Sequence, residues 1–147
     1  MFDRGSLNMM LITRWFTIPL GLMLVLSPGL AALGQPLMIA PNSQPIQVSG
    51  MSGGDKQDAS CAGFIAASPN HVISVTEDAD LEFELQSSGQ PTLLIQSATG
   101  QSFCVPADNY SQGKIKIPGR WPKGTYSVFV GDRGNEHHAY TLVISNS

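Results

Sequence analysis

The sequence predicts an all-β protein: a jelly-roll-like antiparallel β-sandwich of about eight strands, behind an N-terminal signal peptide. Short segments rich in β-branched and aromatic residues recur about every 8–12 residues, separated by turn residues. Several of them alternate apolar and polar residues, as half-buried strands do. Beyond the first 34 residues, no segment of helical length repeats its apolar residues with the 3.6-residue period of a helix.

The first 34 residues have the layout of a secretory signal peptide. Arg4 and Arg14 provide a basic start, residues 15–26 are almost wholly apolar, and Ala32-Leu33-Gly34 places small residues before a cleavage point. The apolar run of about 12 residues is shorter than the roughly 20 that a membrane-spanning helix needs. We therefore predict cleavage after Gly34, a secreted or periplasmic location and no stable membrane span after cleavage. An uncleaved segment would instead serve as an N-terminal anchor.

The chain beyond residue 34 divides into two parts by composition. Residues 35–60 are rich in Pro, Gly and Ser, which predicts a flexible linker in which only residues 46–48 could form a short edge strand. Residues 61–147 carry the strand pattern and are predicted to form the sandwich.

The strand pattern is clearest where Leu81, Phe83 and Leu85 alternate with Glu82 and Glu84. Successive side chains of a strand point to opposite faces, so the apolar residues are predicted to face the core and the glutamates to face water. The apolar run near residue 94 would be buried on both faces if its strand is central. The other predicted strands cover residues 61–66, 71–75, 92–96, 102–105, 114–117, 125–130 and 139–144.

The charge balance argues against a nucleic-acid partner. The whole chain has 8 Lys and Arg against 11 Asp and Glu, and residues 35–147 keep 6 and 10 of them. Nucleic-acid binders instead cluster basic residues. The one basic run, Lys114, Lys116, Arg120 and Lys123, is interpreted as the solvated face of a strand and turn. A contact surface for an acidic glycan or a lipid headgroup is the alternative.

Cys61 and Cys104 are the two cysteines of the chain. In an exported protein, such a pair is most simply a disulfide, which would stabilise the fold by roughly 4 kcal/mol. The alternative is a redox or nucleophilic cysteine, but the chain has no Cys-x-x-Cys spacing and no histidine close in sequence to either cysteine.

The segment 53–144 resembles the pre-peptidase C-terminal domain family of bacterial secreted proteins. The matching pieces are Gly53-Gly54, Cys61-Ala62-Gly63-Phe64-Ile65, Pro69-Asn70-His71-Val72, Thr92-Leu93-Leu94-Ile95, Phe103-Cys104, residues 121–131 and residues 140–144. The resemblance implies a jelly-roll-like sandwich that accompanies other secreted domains and has no catalytic activity of its own.

The resemblance also bears on calcium, because some members of that family hold it with acidic residues in their loops. Those members read Gly-Asp before the strand that is residues 92–96 here, and Asp-Asp just after the second cysteine. This chain has Gly89-Gln90-Pro91 at the first place and a displaced Asp108 at the second, so it departs from the pattern.

No cofactor is expected from the residues, and calcium is the one metal that the loop acids suggest. The acids lie in loops around Asp78, Asp108 and Asp132, without the spacing of an EF-hand. If calcium binds, Asp78, Asp80 and Asp108 are the expected ligands. Otherwise these residues are solvated turn acids. His137 and His138 are adjacent and would point to opposite faces of a strand, which disfavours a shared metal.

Trp121 and Tyr110 are the candidate binding surface, because aromatic side chains on loops stack against ligands. The alternative for Trp121 is that it closes one end of the core. An acyl-transfer triad needs a base in reach of its nucleophile, and residues 35–147 offer just three histidines as candidates, so the chain is not expected to be an enzyme.

These observations together predict a secreted, non-catalytic binding or accessory module. Its partner would be another extracellular protein, a glycan or a component of the cell envelope. A calcium-stabilised structural domain and a small secreted hydrolase are the two alternatives.

Overall fold

The computed structural model describes residues 35–147, which form eleven β-strands and no helix. None of these residues therefore belongs to a helix that is long and apolar enough to cross a membrane. The strands are β1 (Leu37–Ile39), β2 (Ile46–Met51), β3 (Lys56–Gln57), β4 (Phe64–Ile65), β5 (His71–Val75), β6 (Ala79–Ser87), β7 (Pro91–Ser97), β8 (Ser102–Pro106), β9 (Lys114–Trp121), β10 (Gly124–Asp132) and β11 (Ala139–Asn146).

The strands form two sheets packed face to face. Sheet A has seven strands: β1, β5, β10, β7 and β8 lie side by side, and the short β3–β4 pair adds to β10 beyond the end of β5. Sheet B has the order β2-β11-β6-β9. Among the described strands, every pair is antiparallel except β1 with β5. The predicted all-β antiparallel sandwich is confirmed.

The main core lies between the two sheets and follows the predicted alternation. On β6, Leu81, Phe83 and Leu85 are fully buried, and on β11 Tyr140, Leu142 and Ile144 point into the same core. At about 25 cal/mol per Å² of apolar surface, burial of this kind is the main stabilising contribution to a small domain.

A second, smaller core covers the outer face of sheet A. Leu94 on β7 and Phe129 on β10 point away from the main core and pack against Ala62 and Ile65. Since β7 lies between β10 and β8, Leu94 is buried here while its neighbours in sequence face the main core. The central-strand interpretation of residues 92–96 is therefore correct.

The predicted disulfide is present. Cys61 is bonded to Cys104, with 5.9 Å between the two Cα atoms, within the normal range for such a bond. Cys61 precedes β4 and Cys104 lies on β8, so the bond holds the segment that covers the smaller core against the edge of sheet A. The predicted strand over residues 61–66 is reduced to Phe64–Ile65 in the structure.

The prediction of a flexible linker over residues 35–60 is wrong, although the short edge strand expected at residues 46–48 is present as part of β2. This segment contains β1, β2 and β3, and β2 pairs with β11 over six residues as the edge strand of sheet B. Its small residues serve packing: the ring of Tyr140 lies against Gly50, where a Cβ would collide with it. Ser52 is fully buried, and its hydroxyl accepts a hydrogen bond from the His138 backbone N–H.

Strand β9 also differs from the prediction, which ended it at Pro118-Gly119. The strand continues to Trp121, and Pro118 pairs with Glu82 in register. A proline is tolerated here because β9 is an edge strand. The predicted signal peptide, its cleavage after Gly34 and the alternative anchor lie outside the described residues.

Candidate edge cleft

A cleft of about 560 Å³ opens where the edges of the two sheets meet, between β8 and β9. We call it the edge cleft. Its volume falls in the roughly 300–1,000 Å³ range of small-molecule sites. Its walls are Ile95, Ser97 and residues 101–103 of sheet A, residues 117–122 of β9 and Tyr126 of β10.

The edge cleft exists because β9 carries a glycine at an inward-facing position. Ile115, Ile117, Gly119 and Trp121 alternate along the strand on the side facing sheet A, and all except Gly119 are buried. Without a side chain at Gly119, the space between Ile117 and Trp121 is unfilled. A Cβ built there would have one neighbour within 4 Å among the described residues beyond its chain neighbours, the Nε1 atom of Trp121 at 3.6 Å.

Trp121 forms the inner wall of the edge cleft. Its side chain is 9% exposed and packs against Phe83, with 4.7 Å between the ring centroids, and edge-on against Tyr126 at 5.4 Å. These contacts place Trp121 in the core, which is what the alternative prediction stated. The indole N–H is buried and has no hydrogen-bond partner among residues 35–147. A buried donor without a partner costs about 1–3 kcal/mol, so it is an unusual feature of a folded protein.

Phe103 forms the outer rim on the opposite side. It is 45% exposed and meets Trp121 edge-on, with 6.0 Å between the centroids. Phe103 therefore presents apolar ring surface to solvent at the entrance of the edge cleft.

Polar groups complete the rim. Gln101 and Ser102 are exposed, and Ser97 Oγ accepts a hydrogen bond from the Gln101 backbone N–H at 3.0 Å. The Arg120 guanidinium bonds the Asp80 carboxylate at 3.1 Å, which offsets its charge.

Tyr126 fixes the floor of the edge cleft to the turn after β9. Its hydroxyl donates a hydrogen bond to the Pro122 carbonyl oxygen at 2.6 Å. Burial and then the nearby charge of Asp78 raise the pKa of Tyr126, so the hydroxyl stays protonated.

Tyr110, the second aromatic residue of the predicted binding surface, lies elsewhere. It is 93% exposed in the loop before β9, which begins at Lys114. Trp121 is the last residue of β9, at the opposite end of the strand. Eight strand residues separate the two ends by about 25 Å. Trp121 and Tyr110 therefore do not form one surface, and Phe103 is the exposed aromatic partner of Trp121.

The three predicted calcium ligands are not brought together. Asp78 accepts a hydrogen bond from the Lys123 backbone N–H at 2.8 Å, and Asp80 pairs with Arg120. Asp108 lies in the loop before β9 and caps it: its carboxylate accepts bonds from the N–H groups of Tyr110 and Ser111, which lower its pKa. Across residues 35–147, no three Asp, Glu, His or Cys side chains form a metal-binding group.

Three of the four residues of the basic run, Lys114, Lys116 and Arg120, are ion-paired on the outer face of sheet B. Lys114 contacts Glu84 at 3.0 Å, and Lys116 contacts Glu82 at 3.3 Å. These contacts place Glu82 and Glu84 on the outer face, as predicted. The acids of β6 therefore balance the basic residues of β9.

The three histidines are held by separate partners. His71 Nε2 lies 2.7 Å from the Tyr140 hydroxyl, which joins the two sheets. His137 Nδ1 lies 2.9 Å from the Ser52 carbonyl oxygen, and His138 Nε2 lies 2.7 Å from the Glu136 carboxylate. Burial lowers the pKa of His71 and raises that of Tyr140 to about 12.

Asp132 is a buried acid that the sequence did not single out as structural. It is fully buried at the end of β10, where its carboxylate accepts bonds from the N–H groups of Gly134 at 2.6 Å and Gln90 at 3.2 Å. It thus ties the β10–β11 turn to the start of β7. Asp-x-Gly after an apolar strand is the sequence signal for such a turn.

The sequence patterns did not identify Gly119 or Phe103 as parts of a site. A Pro-Gly pair normally ends a strand, so Gly119 reads as a turn residue. One signal could have revealed it: the apolar alternation of residues 115 and 117 resumes at Trp121 if Gly119 is counted as an inward position.

Several solved structures share part of this architecture at low sequence identity. The pre-peptidase C-terminal domain of Bacillus anthracis collagenase matches with a TM-score of 0.48 and 12% identity, over 76% of this chain and 95% of that one. The Aeromonas hydrophila PliG, a periplasmic inhibitor of g-type lysozyme, matches with a TM-score of 0.40 and 13% identity, over 77% and 100%. A ruminal GH26 endo-β-1,4-mannanase matches with a TM-score of 0.41 and 14% identity, over 73% of this chain and 27% of that one.

No protein-family profile matches the chain. A protein of Synechococcus elongatus, described as uncharacterized, is 32% identical over 111 residues, which cover 72% of this chain and 77% of that protein. Identity at this level over most of both chains shows common descent. The chain belongs to the same family as this Synechococcus elongatus protein.

Proposed function

We propose that this chain is an exported, non-catalytic binding module whose ligand lies in the edge cleft. The observation that carries the proposal is the indole N–H of Trp121. It is buried without a protein partner, next to the gap left by Gly119, in an aromatic-lined cleft. A ligand that accepts this hydrogen bond would remove the cost of the unpaired donor.

The engagement of the polar side chains supports a non-catalytic role. A serine nucleophile needs a histidine base within reach, but the three histidine rings contact Tyr140, a backbone carbonyl and Glu136. Glycoside hydrolysis needs two carboxyl groups facing a cleft, whereas Glu82 and Glu84 pair with lysines on an outer face.

The disulfide supports the exported location, because such bonds persist in oxidising compartments. We further propose that the sandwich is a divergent form of the pre-peptidase C-terminal domain. The support is the sequence resemblance. Its matching segment over residues 124–131 forms most of β10.

Sedimentation with an insoluble cell-envelope fraction of Synechococcus elongatus tests the proposed site. In Gly119→Leu, an isobutyl group would occupy the part of the edge cleft beside Trp121, at a position whose backbone does not require glycine. Ser49→Leu adds the same group on the exposed edge strand at the other side of sheet B and serves as the matched control.

We expect the unaltered protein and Ser49→Leu to sediment with the fraction, and Gly119→Leu to remain in solution while folding normally. Equal sedimentation of Gly119→Leu, or none by the unaltered protein, would contradict the site. Release of soluble sugars or peptides during incubation would contradict the non-catalytic assignment.

A further inference from the structure

We infer that the ligand of the edge cleft is a neutral saccharide, one ring of which sits beside Gly119 with its apolar face on Phe103. This inference rests on the proposed binding function and narrows it to one chemical class. It draws on the charge of the cleft, its unpaired donor and its exposed aromatic ring.

The charge of the edge cleft favours an uncharged ligand. Arg120 is the one charged residue among the lining residues, and Asp80 neutralises it at 3.1 Å. Asp80 and Arg120 are outward-facing positions of β6 and β9, so their ion pair lies on the outer face of sheet B and the cleft presents no free charge to a ligand. A neutral ligand leaves the ion pair in place.

The polar groups favour a ligand rich in hydroxyl groups over a purely apolar one. The indole N–H of Trp121 needs an acceptor, and Gln101 and Ser102 offer both donors and acceptors at the rim. A hydrocarbon ligand would bury these groups without partners, which is unfavourable. A sugar hydroxyl both donates and accepts, so it can satisfy each of them.

The aromatic residues favour a ligand with one flat apolar face. Phe103 is 45% exposed at the entrance, and Trp121 forms the inner wall. A pyranose ring has such a face of C–H groups together with a polar perimeter. An amphipathic ring of this kind matches a cleft with aromatic walls and a polar rim.

An extended peptide is less well accommodated. Such a ligand would add to a sheet edge through backbone hydrogen bonds, and the cleft is bordered by two edge strands, β8 and β9. On β9 such addition is disfavoured. Pro118 lacks an N–H group, and exposed Lys116 and Arg120 flank it, features that prevent strand addition.

Binding requires a small movement at the rim, because the Trp121 Nε1 atom is itself covered in this structure. The side chain of Phe103, which meets Trp121 edge-on, is exposed and can rotate without disturbing the main core. The backbone of β9 is paired with β6 along its whole length, so this movement needs side chains only.

The indole N–H signal of Trp121 is a direct probe of this inference in solution. The full chain, labelled with ¹⁵N and carrying Trp15→Phe, has Trp121 as its one tryptophan. It is titrated with neutral oligosaccharides of glucose, mannose, galactose, xylose and N-acetylglucosamine. Hexagalacturonate represents anionic glycans, and a ten-residue Ser-Thr peptide, which keeps its backbone N–H groups, represents extended peptides.

We expect at least one neutral oligosaccharide to shift the indole signal. Phe103→Ala should weaken that binding about tenfold or more, as for loss of an aromatic anchor. Gly119→Leu should abolish the binding, and Ser49→Leu should leave it unchanged.

Two results overturn the inference, and each differs from failure of the proposed function. If only the Ser-Thr peptide or hexagalacturonate shifts the signal and Gly119→Leu blocks the shift, the cleft binds a ligand of another class. If no oligosaccharide shifts the signal while sedimentation with the envelope still depends on Gly119, the saccharide class is again wrong. Failure of the sedimentation assay as well would overturn the proposed function.

Discussion

The indole Nε1 of Trp121 lies 3.6 Å from the point where a side chain on Gly119 would begin. The two residues are two positions apart on β9, so they point to the same side of the strand. One supplies the unpaired donor and the other the space beside it. The ligand-binding proposal depends on this pair, and several measurements follow from its surroundings.

Gly119→Ala should raise the free energy of unfolding by about 0.4–1 kcal/mol. The backbone at Gly119 is compatible with other residues, and a methyl group would meet Trp121 at an ordinary contact distance, so the main effect is a less flexible unfolded chain. Denaturant unfolding measures the change. Gly131→Ala is the control, because a Cβ there would collide with the Ala62 carbonyl oxygen and the Thr92 hydroxyl. Destabilisation by Gly119→Ala would show that the cleft is not open.

The paired substitution Cys61→Ala with Cys104→Ala should lower the free energy of unfolding by roughly 4 kcal/mol, because the bond closes a loop of 43 residues in sequence. Adding a reductant should destabilise the unaltered protein by a similar amount and leave the double variant unchanged. Titration of the unfolded, unreduced protein should find no free thiol. Reactive thiols in that sample would contradict the disulfide.

Stability should fall with acidification through His71. Burial lowers its pKa below the usual 6.5, so the unfolded chain binds the proton more readily than the folded protein. The contribution is complete above about pH 6.5 and is lost as the pH falls below that value. Tyr140, with a pKa near 12, stays protonated throughout this range.

Unfolding measured between pH 5 and 8 checks this dependence. His71→Gln should flatten the curve in that range, whereas His137→Gln should retain its slope. Parallel curves for the unaltered protein and His71→Gln would rule out His71 as the cause.

Calcium should leave the melting temperature unchanged. Asp78 and Asp80 bond to the chain around Arg120 and Lys123, while Asp108 caps the loop at the far end of β9. A native-state ligand raises apparent stability by mass action, so thermal melts with excess calcium and with EDTA should coincide. An upward shift with calcium would mean that the acids gather around the ion.

The sequence predicted the main core because burial there has a period of two. Leu81, Phe83 and Leu85 have no alternative face to occupy, and the same rule placed Glu82 and Glu84 outside. The disulfide could also be predicted from the sequence, because each of the two cysteines in an exported chain can pair only with the other.

Other parts depended on contacts between distant residues, which local patterns do not carry. The small residues of 46–54 indicated a linker because nothing nearby showed that Tyr140 packs on Gly50. Trp121 was recognised as a site candidate, but its partner Phe103 comes from β8 of the other sheet. Tyr110 and Trp121 were wrongly expected to form one surface. Both are aromatic residues next to loops, but they lie at opposite ends of β9.

A crystal structure with the tightest-binding oligosaccharide of the panel tests the central claim most directly. The account predicts a ring beside Gly119, with a hydroxyl oxygen about 2.7–3.2 Å from the Nε1 atom of Trp121 and an apolar face on Phe103. A ligand bound elsewhere on the sandwich, or an edge cleft that no probe enters, would contradict it.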